Sequence, residues 1–190
     1  MDTEDAVKEL IVSLGLHNDE NFRETHIRYA KFLKEVIWRQ EEIEIALRTV
    51  LQKQFPSTYD GIVAVKDVHC YSVCPHHLLP VFYRVYAAYI PSGTNVIGVS
   101  KVARIVKILS HYPWLQEEYT TKIADVLANR IQGSRGSFVI VYGKHSCMTI
   151  RGVQQKDTEV VTSVIRGVFA KPPAGKDPRQ EALQLWGLRV

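Results

Sequence analysis

The sequence predicts an α+β domain in which an antiparallel four-stranded sheet is covered on one face by helices. Three observations favour this fold class. Apolar residues recur at helical spacing before Pro56, residues alternate in strand fashion just after it, and the later segments follow the order β-β, α-α, β-β. The composition, 46% apolar and 23% charged in 190 residues, is typical of one ordinary globular domain.

The N-terminal region is predicted to be a helical arm. The stretch from Thr3 to Leu14 carries apolar residues at helical spacing, and Gly15 follows as a natural stop. Two further helical stretches are expected between Asn21 and Phe55. We therefore expect residues 1–58 to form an arm that precedes the main domain, residues 59–190, in a chain organised around a single domain.

The main domain is predicted to place a pair of helices between two pairs of strands. Val-rich, alternating runs predict four strands, at Gly61 to Val73, Val81 to Ile90, Ser137 to Tyr142 and Glu159 to Phe169. Apolar stripes predict two helices, at Ser100 to His111 and Gln116 to Gln132. The segment after Phe169 is expected to be a tail that contains Pro, Gly and Lys. Because the edges of a four-stranded sheet need a neighbour, we expect a homo-oligomer.

The composition excludes several classes of protein. The N-terminus MDTEDAVKEL is acidic, unlike a signal peptide, and no apolar run approaches the roughly 20 residues that cross a bilayer. The three cysteines, Cys70, Cys74 and Cys147, are odd in number and too few to staple a small secreted domain, so no disulfide is expected. We expect a cytoplasmic protein with no membrane partner.

Charge is distributed unevenly along the chain. Residues 1 to 50 hold 7 basic and 11 acidic side chains, which leaves 17 of the 24 basic and 9 of the 20 acidic ones, a net charge of +8, for the remainder. This excess suits a small anionic ligand. No dense basic stripe, helix-turn-helix or zinc-finger spacing accompanies it, so no nucleic-acid partner is expected.

The segment Cys74-Pro75-His76-His77 predicts a metal site if the backbone turns within it. In an extended strand Cys74 and His76 would share a face and His77 would point away. A turn, which Pro75 favours, would bring the Cys74 thiolate and the His77 imidazole onto one ion. His76 would then lie beside the metal, free for acid/base work.

A second segment, His145 to Arg151, follows a strand and offers Cys147 as a third ligand. If the extended conformation persists, His145, Cys147, Thr149 and Arg151 share one face. Two thiolates and an imidazole with one open position are typical of catalytic zinc, although these residue types leave iron and cobalt open. Buried free cysteines are also common core residues, and that interpretation is favoured for Cys70.

Two helix starts offer groups for a ligand. Lys101 and Arg104 share a helix face after Ser100, beside N–H groups that favour anions, which could hold phosphates. Spacing alone favours a solvated helix start capped by Ser100. Gln116 and Glu117 begin the next helix, where an acidic residue is favourable for dipole reasons alone. A carboxylate there could equally accept two N–H bonds from a guanine edge. Spacing leaves both pairs of alternatives open.

Five motifs, read in order along the chain, resemble the GTP cyclohydrolase I family. They are VKDVHCYSVCPHHLLPVFYRVYAAYIP, VIGVSKVARIVKI, LQEEYTTKIADVL, HSCMTIRGVQ and TSVIRGVF. The resemblance covers roughly residues 60 to 170. In the arm, the stretch Glu24 to Ala30 is similar to the family's E-T-P-x-R-V-A, with His26 where proline is usual.

The resemblance implies the tunnelling fold, or T-fold, in which antiparallel sheets from several subunits close a barrel with helices on its outside. Residues 59–190 would form this T-fold catalytic domain. The family assembles as two stacked pentamers with sites between subunits, so a pentamer or decamer is expected.

The resemblance also implies a zinc enzyme that acts on GTP. Cys74, His77 and Cys147 would be the zinc ligands, and His76 and His145 the acid/base pair. The resemblance further implies that Glu117 binds the guanine N1–H and 2-amino group, that Gln116 orients the base and a bound water, and that Ser100 contacts the ribose. The triphosphate would be held by Lys101, Arg104 and Arg151, together with Arg28 of a neighbouring subunit.

The implied reaction is hydrolysis of the guanine imidazole ring at C8. A histidine that protonates N7 makes C8 more electrophilic, and help of this kind is worth roughly 10²- to 10⁴-fold. Formate leaves, and ribose rearrangement followed by ring closure gives 7,8-dihydroneopterin triphosphate, from which pterins and tetrahydrofolate are made.

One departure from the family pattern keeps alternatives open. The family's Cys-Glu-His-His is Cys-Pro-His-His here, which removes a carboxylate beside the ribose. Such a member would stop at the ring-opened product, act on another purine nucleotide, or serve 7-deazaguanine synthesis. Outside catalysis by zinc, the alternatives are a non-catalytic purine-binding T-fold protein and a nitrile reductase that uses a cysteine nucleophile.

Overall fold

The chain divides into two units in the computed structural model, which describes residues 1–188. The first unit is Met1–Trp38 and the second begins at Arg39. The expected boundary between residues 58 and 59 stays a prediction. Within residues 1–188, no helix has both the length and the apolar character needed to cross a membrane.

The first unit is a pair of helices, α1 (Thr3–Ser13) and α2 (Thr25–Val36), joined through a 3-10 turn at Glu20–Phe22. The Asp2 carboxylate caps α1 by accepting hydrogen bonds from the Glu4 and Asp5 amides at 2.8 and 2.9 Å. The small core of this unit consists of Val7, Ile11 and Ala30. The predicted N-terminal helix is thereby confirmed.

The second unit contains one main sheet and its covering helices. Its elements are α3 (Gln40–Leu51), β1 (Phe55–Pro56), β2 (Val63–Val73), β3 (Pro80–Pro91), β4 (Asn95–Val96), α4 (Val99–Ser110), α5 (Gln116–Asn129), β5 (Ser134–His145), α6 (Ser146–Thr149), β6 (Val160–Gly167) and α7 (Pro178–Trp186). The main sheet has the order β2-β3-β5-β6 with antiparallel pairing throughout, and β1 pairs with β4. The predicted α+β fold class and element order are confirmed.

One face of the sheet packs on α4 and α5. Tyr83 of β3 stacks on Tyr119 of α5 with ring centroids 4.7 Å apart, and the Ser137 hydroxyl of β5 donates to the Ala124 carbonyl of α5 at 2.7 Å. Because alternate strand residues share a face, Val85 and Ala87 lie on this same side, and both are fully buried. The predicted apolar stripes of the two helices therefore supply the main core.

The opposite face is partly covered by α7, a helix that sequence analysis does not predict. Trp186 and Ala182 pack with Tyr86, Phe138 and other sheet residues. The helix is capped by the Asp177 carboxylate, begins with a proline, and ends at a glycine with φ +73°, which are ordinary start and stop signals. The expectation of a tail after Phe169 is wrong for Pro178–Trp186, which form a helix whose apolar pattern is too short to be recognised in the sequence.

The strand register fixes what lies at one end of the sheet. Val73 at the end of β2 pairs with Pro80, and the next residue of β3, Val81, pairs with His145 at the end of β5. The segment Cys74 to Leu79 and the segment after His145 therefore leave the sheet side by side. This end of the sheet is called the loop end below.

A glycine at the end of β6, Gly167, gives a test of the fold because it pairs with Gly136 of β5. Gly167 has φ +58°, and a Cβ there would lie 2.1 Å from the Arg135 carbonyl oxygen. Gly175 has a similar φ, +74°, with nothing within 4 Å. We expect Gly175→Ala to lower the free energy of unfolding by about 1 kcal/mol from backbone strain alone.

Gly167→Ala adds a backbone clash to the same strain, so we expect a loss of about 3 kcal/mol. The measurement is denaturant unfolding of both variants beside the wild type at one protein concentration. Equal losses in the two variants would contradict the register of β5 and β6.

Candidate active site

A tight turn at the loop end carries the first candidate ligands. The Cys74 carbonyl accepts hydrogen bonds from the amides of His77 and Leu78 at 3.3 and 2.8 Å, and the Cys74 amide donates to the Leu79 carbonyl at 2.8 Å. Pro75 fits the second turn position because no hydrogen bond is required of its nitrogen. The backbone thus bends where sequence analysis required a bend.

This turn brings three ligand atoms together. The Cys74 Sγ lies 3.6 Å from the His77 Nδ1 and 3.9 Å from the Cys147 Sγ. All three ligand atoms lie within 4.8 Å of one another. Cys74, His77 and Cys147 therefore form a group that could hold a metal ion, and this group is called the Cys-His-Cys cluster.

Cys147 reaches the cluster from a helical turn and not from an extended strand. The strand β5 ends at His145, and Ser146–Thr149 form the short helix α6. The expectation that His145, Cys147, Thr149 and Arg151 share one face of a continuing strand is therefore wrong. Arg151 nevertheless lies at the cluster, because its guanidinium is 2.7 Å from the His77 Nε2.

The surroundings of Cys147 disfavour its ionisation. Partial burial raises the pKa of Cys147, and the neighbouring Cys74 raises that pKa further, while the Arg151 charge lowers it. A cation in the cluster would reverse this repulsion, because metal coordination stabilises thiolates.

A cavity of about 210 Å³ opens beside the cluster. Its lining residues come from the Cys74 turn, the start of α5, the end of β5 and α6, and the start of β6. They are Cys74, Pro75, His76, Trp114, Leu115, Gln116, Glu117, His145, Cys147, Met148 and Val160. The cavity is thus lined by two imidazoles and one carboxylate, beside both thiols of the cluster.

Three of the lining residues are linked electrostatically. Gln116 is buried, with 3% of its surface exposed, and its Oε1 lies 2.8 Å from the His145 Nε2. Burial lowers the pKa of His145, and the negative charge of Glu117 offsets part of that effect. Glu117 is exposed in the first turn of α5, where the helix N-terminus favours a carboxylate.

Ser100, Lys101 and Arg104 do not line this cavity. They lie in the first half of α4, which begins just after β4 and hence at the end of the sheet opposite the loop end. The α4 helix spans about 18 Å before the chain returns towards Gln116. The Lys101 ammonium donates to the Lys53 carbonyl, and Arg104 is exposed.

The two remaining predicted residues lie elsewhere. Arg28 belongs to the first unit, where its guanidinium pairs with the Glu24 carboxylate at 2.7 Å. Cys70 is buried, with its Sγ 3.2 Å from the Tyr119 hydroxyl, which agrees with the interpretation of Cys70 as a core residue.

Sequence analysis missed several residues of this site. Trp114 forms a wall of the cavity, and its place two residues before Gln116 was the available signal. Val160 and Thr162 reach the site only through the pairing of β6 with β5, for which the sequence carries no local signal.

Comparison with known proteins identifies the family of this chain. The family model described as GTP cyclohydrolase I matches residues 3–186. The chain belongs to the GTP cyclohydrolase I family. Relatives named GTP cyclohydrolase 1 from Streptococcus pneumoniae are 37% identical in strain Hungary19A-6 and 38% identical in strain ATCC BAA-255 / R6, each over 99% of this chain and 100% of the relative.

Two solved structures are similar to part of this chain. An archaeosine synthase QueF-Like in the apo form is 20% identical with a TM-score of 0.46, covering 56% of this chain and 94% of its own. A dihydroneopterin aldolase from Burkholderia thailendensis bound to guanine is 15% identical with a TM-score of 0.40, covering 57% of this chain and 91% of its own. The GTP cyclohydrolase I assignment depends on the family match and on the S. pneumoniae relatives.

The cluster predicts a cysteine-specific pattern of metal binding. We expect Cys74→Ser and Cys147→Ser each to abolish stoichiometric binding of cobalt(II), because the two thiolates are its soft ligands. The measurement is the thiolate-to-cobalt absorption band during titration of metal-free protein. Cys70→Ala is the matched control, and loss of the band in that variant as well would contradict the assignment of the cluster.

Proposed function

We propose that this protein is a zinc-dependent GTP cyclohydrolase I that hydrolyses the guanine ring of GTP at C8. The products are formate and 7,8-dihydroneopterin triphosphate, the precursor of pterins and tetrahydrofolate. The observation that carries the proposal is the Cys-His-Cys cluster beside a cavity that His76, His145 and Glu117 line together. Family membership over residues 3–186 supports the same activity.

The spacing of the cluster fits zinc. With zinc–sulfur bonds of about 2.3 Å and zinc–nitrogen bonds of about 2.0 to 2.1 Å, neighbouring ligands of a tetrahedron lie about 3.8 Å (S to S) and about 3.5 Å (S to N) apart. The observed separations are 3.9 and 3.6 Å. Cys74, His77 and Cys147 would hold the ion, and zinc held by them would supply the Lewis acidity that lowers the pKa of a water molecule to about 7.

The chain's own residues supply orientation and proton transfer. The Glu117 carboxylate accepts hydrogen bonds from the guanine N1–H and 2-amino group, which fixes the base in the cavity. His76 and His145 form the acid/base pair: protonation of N7 makes C8 more electrophilic, and the other imidazole accepts the proton released by the attacking water. Gln116, which contacts His145, serves the same reaction from the wall of the cavity.

The triphosphate needs cations that one chain does not bring to its own cavity. Arg151 lies at the cluster, whereas Ser100, Lys101 and Arg104 lie in the first half of α4 and do not line the cavity. We therefore propose that a second copy presents its Ser100 to the ribose and its Lys101 and Arg104 to the phosphates. Arg28 of a neighbouring copy would add a further cation.

Assembly into a barrel would meet this requirement. The outer strands β2 and β6 have unpaired edges in the described chain, and Tyr71, Phe82 and Val161 expose 64%, 49% and 53% of their surfaces on or beside them. Such edges and apolar side chains favour pairing with other copies. We propose a cytoplasmic pentamer or decamer built from a T-fold domain, residues 59–190, and an N-terminal arm, residues 1–58.

Pro75 favours a second possibility within the same family. It lines the cavity where the family's pattern has glutamate, so the ribose loses a carboxylate neighbour. Ring opening uses the cluster and the histidines and does not need that carboxylate, whereas ribose rearrangement would be weakened. A divergent activity that ends at ring opening, or that accepts another purine nucleotide, is the alternative that an assay of both products decides.

Zinc-loaded protein incubated with GTP is expected to release formate and to form a fluorescent pterin after oxidation. We expect His76→Ala to lower both rates by at least about 10²-fold while it retains zinc, because it removes an acid/base group and no ligand. His69→Ala, an exposed histidine of β2 outside the cavity, is the matched control.

The two product assays separate the alternatives. Formate without pterin would show that the reaction ends at ring opening. Absence of both products with zinc bound would contradict the GTP cyclohydrolase proposal.

Shared sites predict complementation between two inactive variants. We expect His76→Ala and Arg104→Ala each to be inactive alone, yet co-expression of the two chains to restore about a quarter of wild-type activity, since half the chains can supply each part of an intact site. The measurement is specific activity of purified mixed oligomers carrying two different tags. Activity no higher than the sum of the single variants would contradict a site shared between copies.

A further inference from the structure

The side chain of Gln116 has only one possible orientation. Its Nε2 lies 3.1 Å from the Val141 carbonyl oxygen, 2.8 Å from the Val160 carbonyl oxygen and 3.2 Å from the Thr162 Oγ1. Carbonyl oxygens only accept hydrogen bonds, so the amide nitrogen, which carries two protons, must face them. The amide oxygen must therefore face His145.

Two threonine hydroxyls support this orientation. The Thr120 Oγ1 donates its single proton to the Gln116 backbone carbonyl at 2.7 Å. The Thr162 Oγ1, 2.6 Å from the Thr120 Oγ1, must then be the donor in that pair. Its lone pairs remain available to the Gln116 Nε2, so the hydroxyls join the side-chain nitrogen of Gln116 to its own backbone oxygen.

The orientation of Gln116 determines which nitrogen of His145 carries the proton. The Gln116 Oε1 lies 2.8 Å from the His145 Nε2 and can only accept. A neutral imidazole has one N–H, and here the hydrogen bond assigns it to Nε2. The lone pair of the neutral ring is then on Nδ1.

A glycine provides the space for this contact. A Cβ at Gly143 would lie 2.1 Å from the Gln116 Oε1 and 2.9 Å from its Cδ. Gly143 lies within β5, paired with Tyr83 on one side and Val160 on the other. Its backbone does not have the positive φ that reserves a position for glycine. A side chain there is excluded chiefly by the Gln116 carboxamide, with the Tyr83 ring 3.0 Å away as a second, looser contact.

We propose that Gln116, Thr162 and Gly143 are positioning residues that hold neutral His145 as its Nε2–H tautomer. The proton-accepting atom of His145 is then Nδ1, and the rotation of its ring is fixed by a buried partner. The tautomer follows from this chain's own contacts, whereas its use in catalysis rests on the proposed function.

Gly143→Ala tests the proposal because the added methyl group must displace the Gln116 carboxamide. In zinc-loaded protein labelled with ¹⁵N-histidine, at a pH where imidazoles are neutral, we expect wild-type His145 to show a protonated Nε2 and an unprotonated Nδ1. In Gly143→Ala we expect both tautomers. Ser137→Ala is the matched control, since it also removes a sheet contact to α5 but leaves His145 untouched.

Kinetics supply the second measurement. We expect Gly143→Ala to lower kcat by about 10²-fold with KM for GTP within about twofold of wild type, because the Glu117 carboxylate proposed to bind the base is unchanged while an acid/base group is misplaced. Gln116→Met, which has similar length without an acceptor, is expected to behave in the same way and serves if the alanine variant does not fold.

Two results would overturn the proposal: an unprotonated Nε2 in wild-type His145, or an unchanged tautomer in both variants. An increase in KM without a change in kcat would assign Gln116 to substrate binding instead and overturn the positioning role. The NMR measurement needs no turnover, so a wild-type protein without cyclohydrolase activity would defeat the proposed function while the tautomer is still decided.

Discussion

The candidate site depends on the way β3 pairs with its two neighbours at the loop end. β3 lies between β2 and β5, and its first residues pair with the last residues of both. A shift by one residue in either pairing would turn alternate side chains to the other face and separate Cys74 from Cys147. The Cys-His-Cys cluster is therefore a product of sheet register, and the turn at Pro75 only completes it.

The same register ties catalysis to the stability of the core. Gln116 begins α5, the helix that packs on the sheet, and its side chain reaches through to carbonyl groups of β5 and β6. Tyr83, stacked on Tyr119, also makes a T-shaped ring contact with His145. The His145 imidazole, proposed for proton transfer, thus lies at the end of β5 and contacts the start of α5, two packed elements of the core. Such elements hold a reacting group more accurately than a mobile loop does.

The sequence predicted the fold well because its strong signals are local. The apolar stripes of α4 and α5 and the alternation in β2 and β3 each lie within one short window. Two of the predicted metal ligands, Cys74 and His77, were also local because they belong to one turn, whereas Cys147 lies in a distant segment. The misses have physical causes: α6 interrupts the strand after His145, α7 is too short for its apolar pattern to stand out, and the contacts of Thr162 and Gly143 with Gln116 depend on pairing between distant segments. The sequence carries no local signal for such pairings.

The position of α7 has a consequence for the newly made chain. The helix lies after β6 in sequence, yet its Trp186 and Ala182 cover apolar residues of strands that are synthesised earlier. While the ribosome still holds the residues that follow β6, the sheet can form but its second face stays bare to water. That interval exposes aromatic surface next to unpaired strand edges, the combination that favours aggregation. The nascent chain is therefore most exposed to aggregation in the interval between the synthesis of β6 and that of α7, after the residues of the candidate site have already been made.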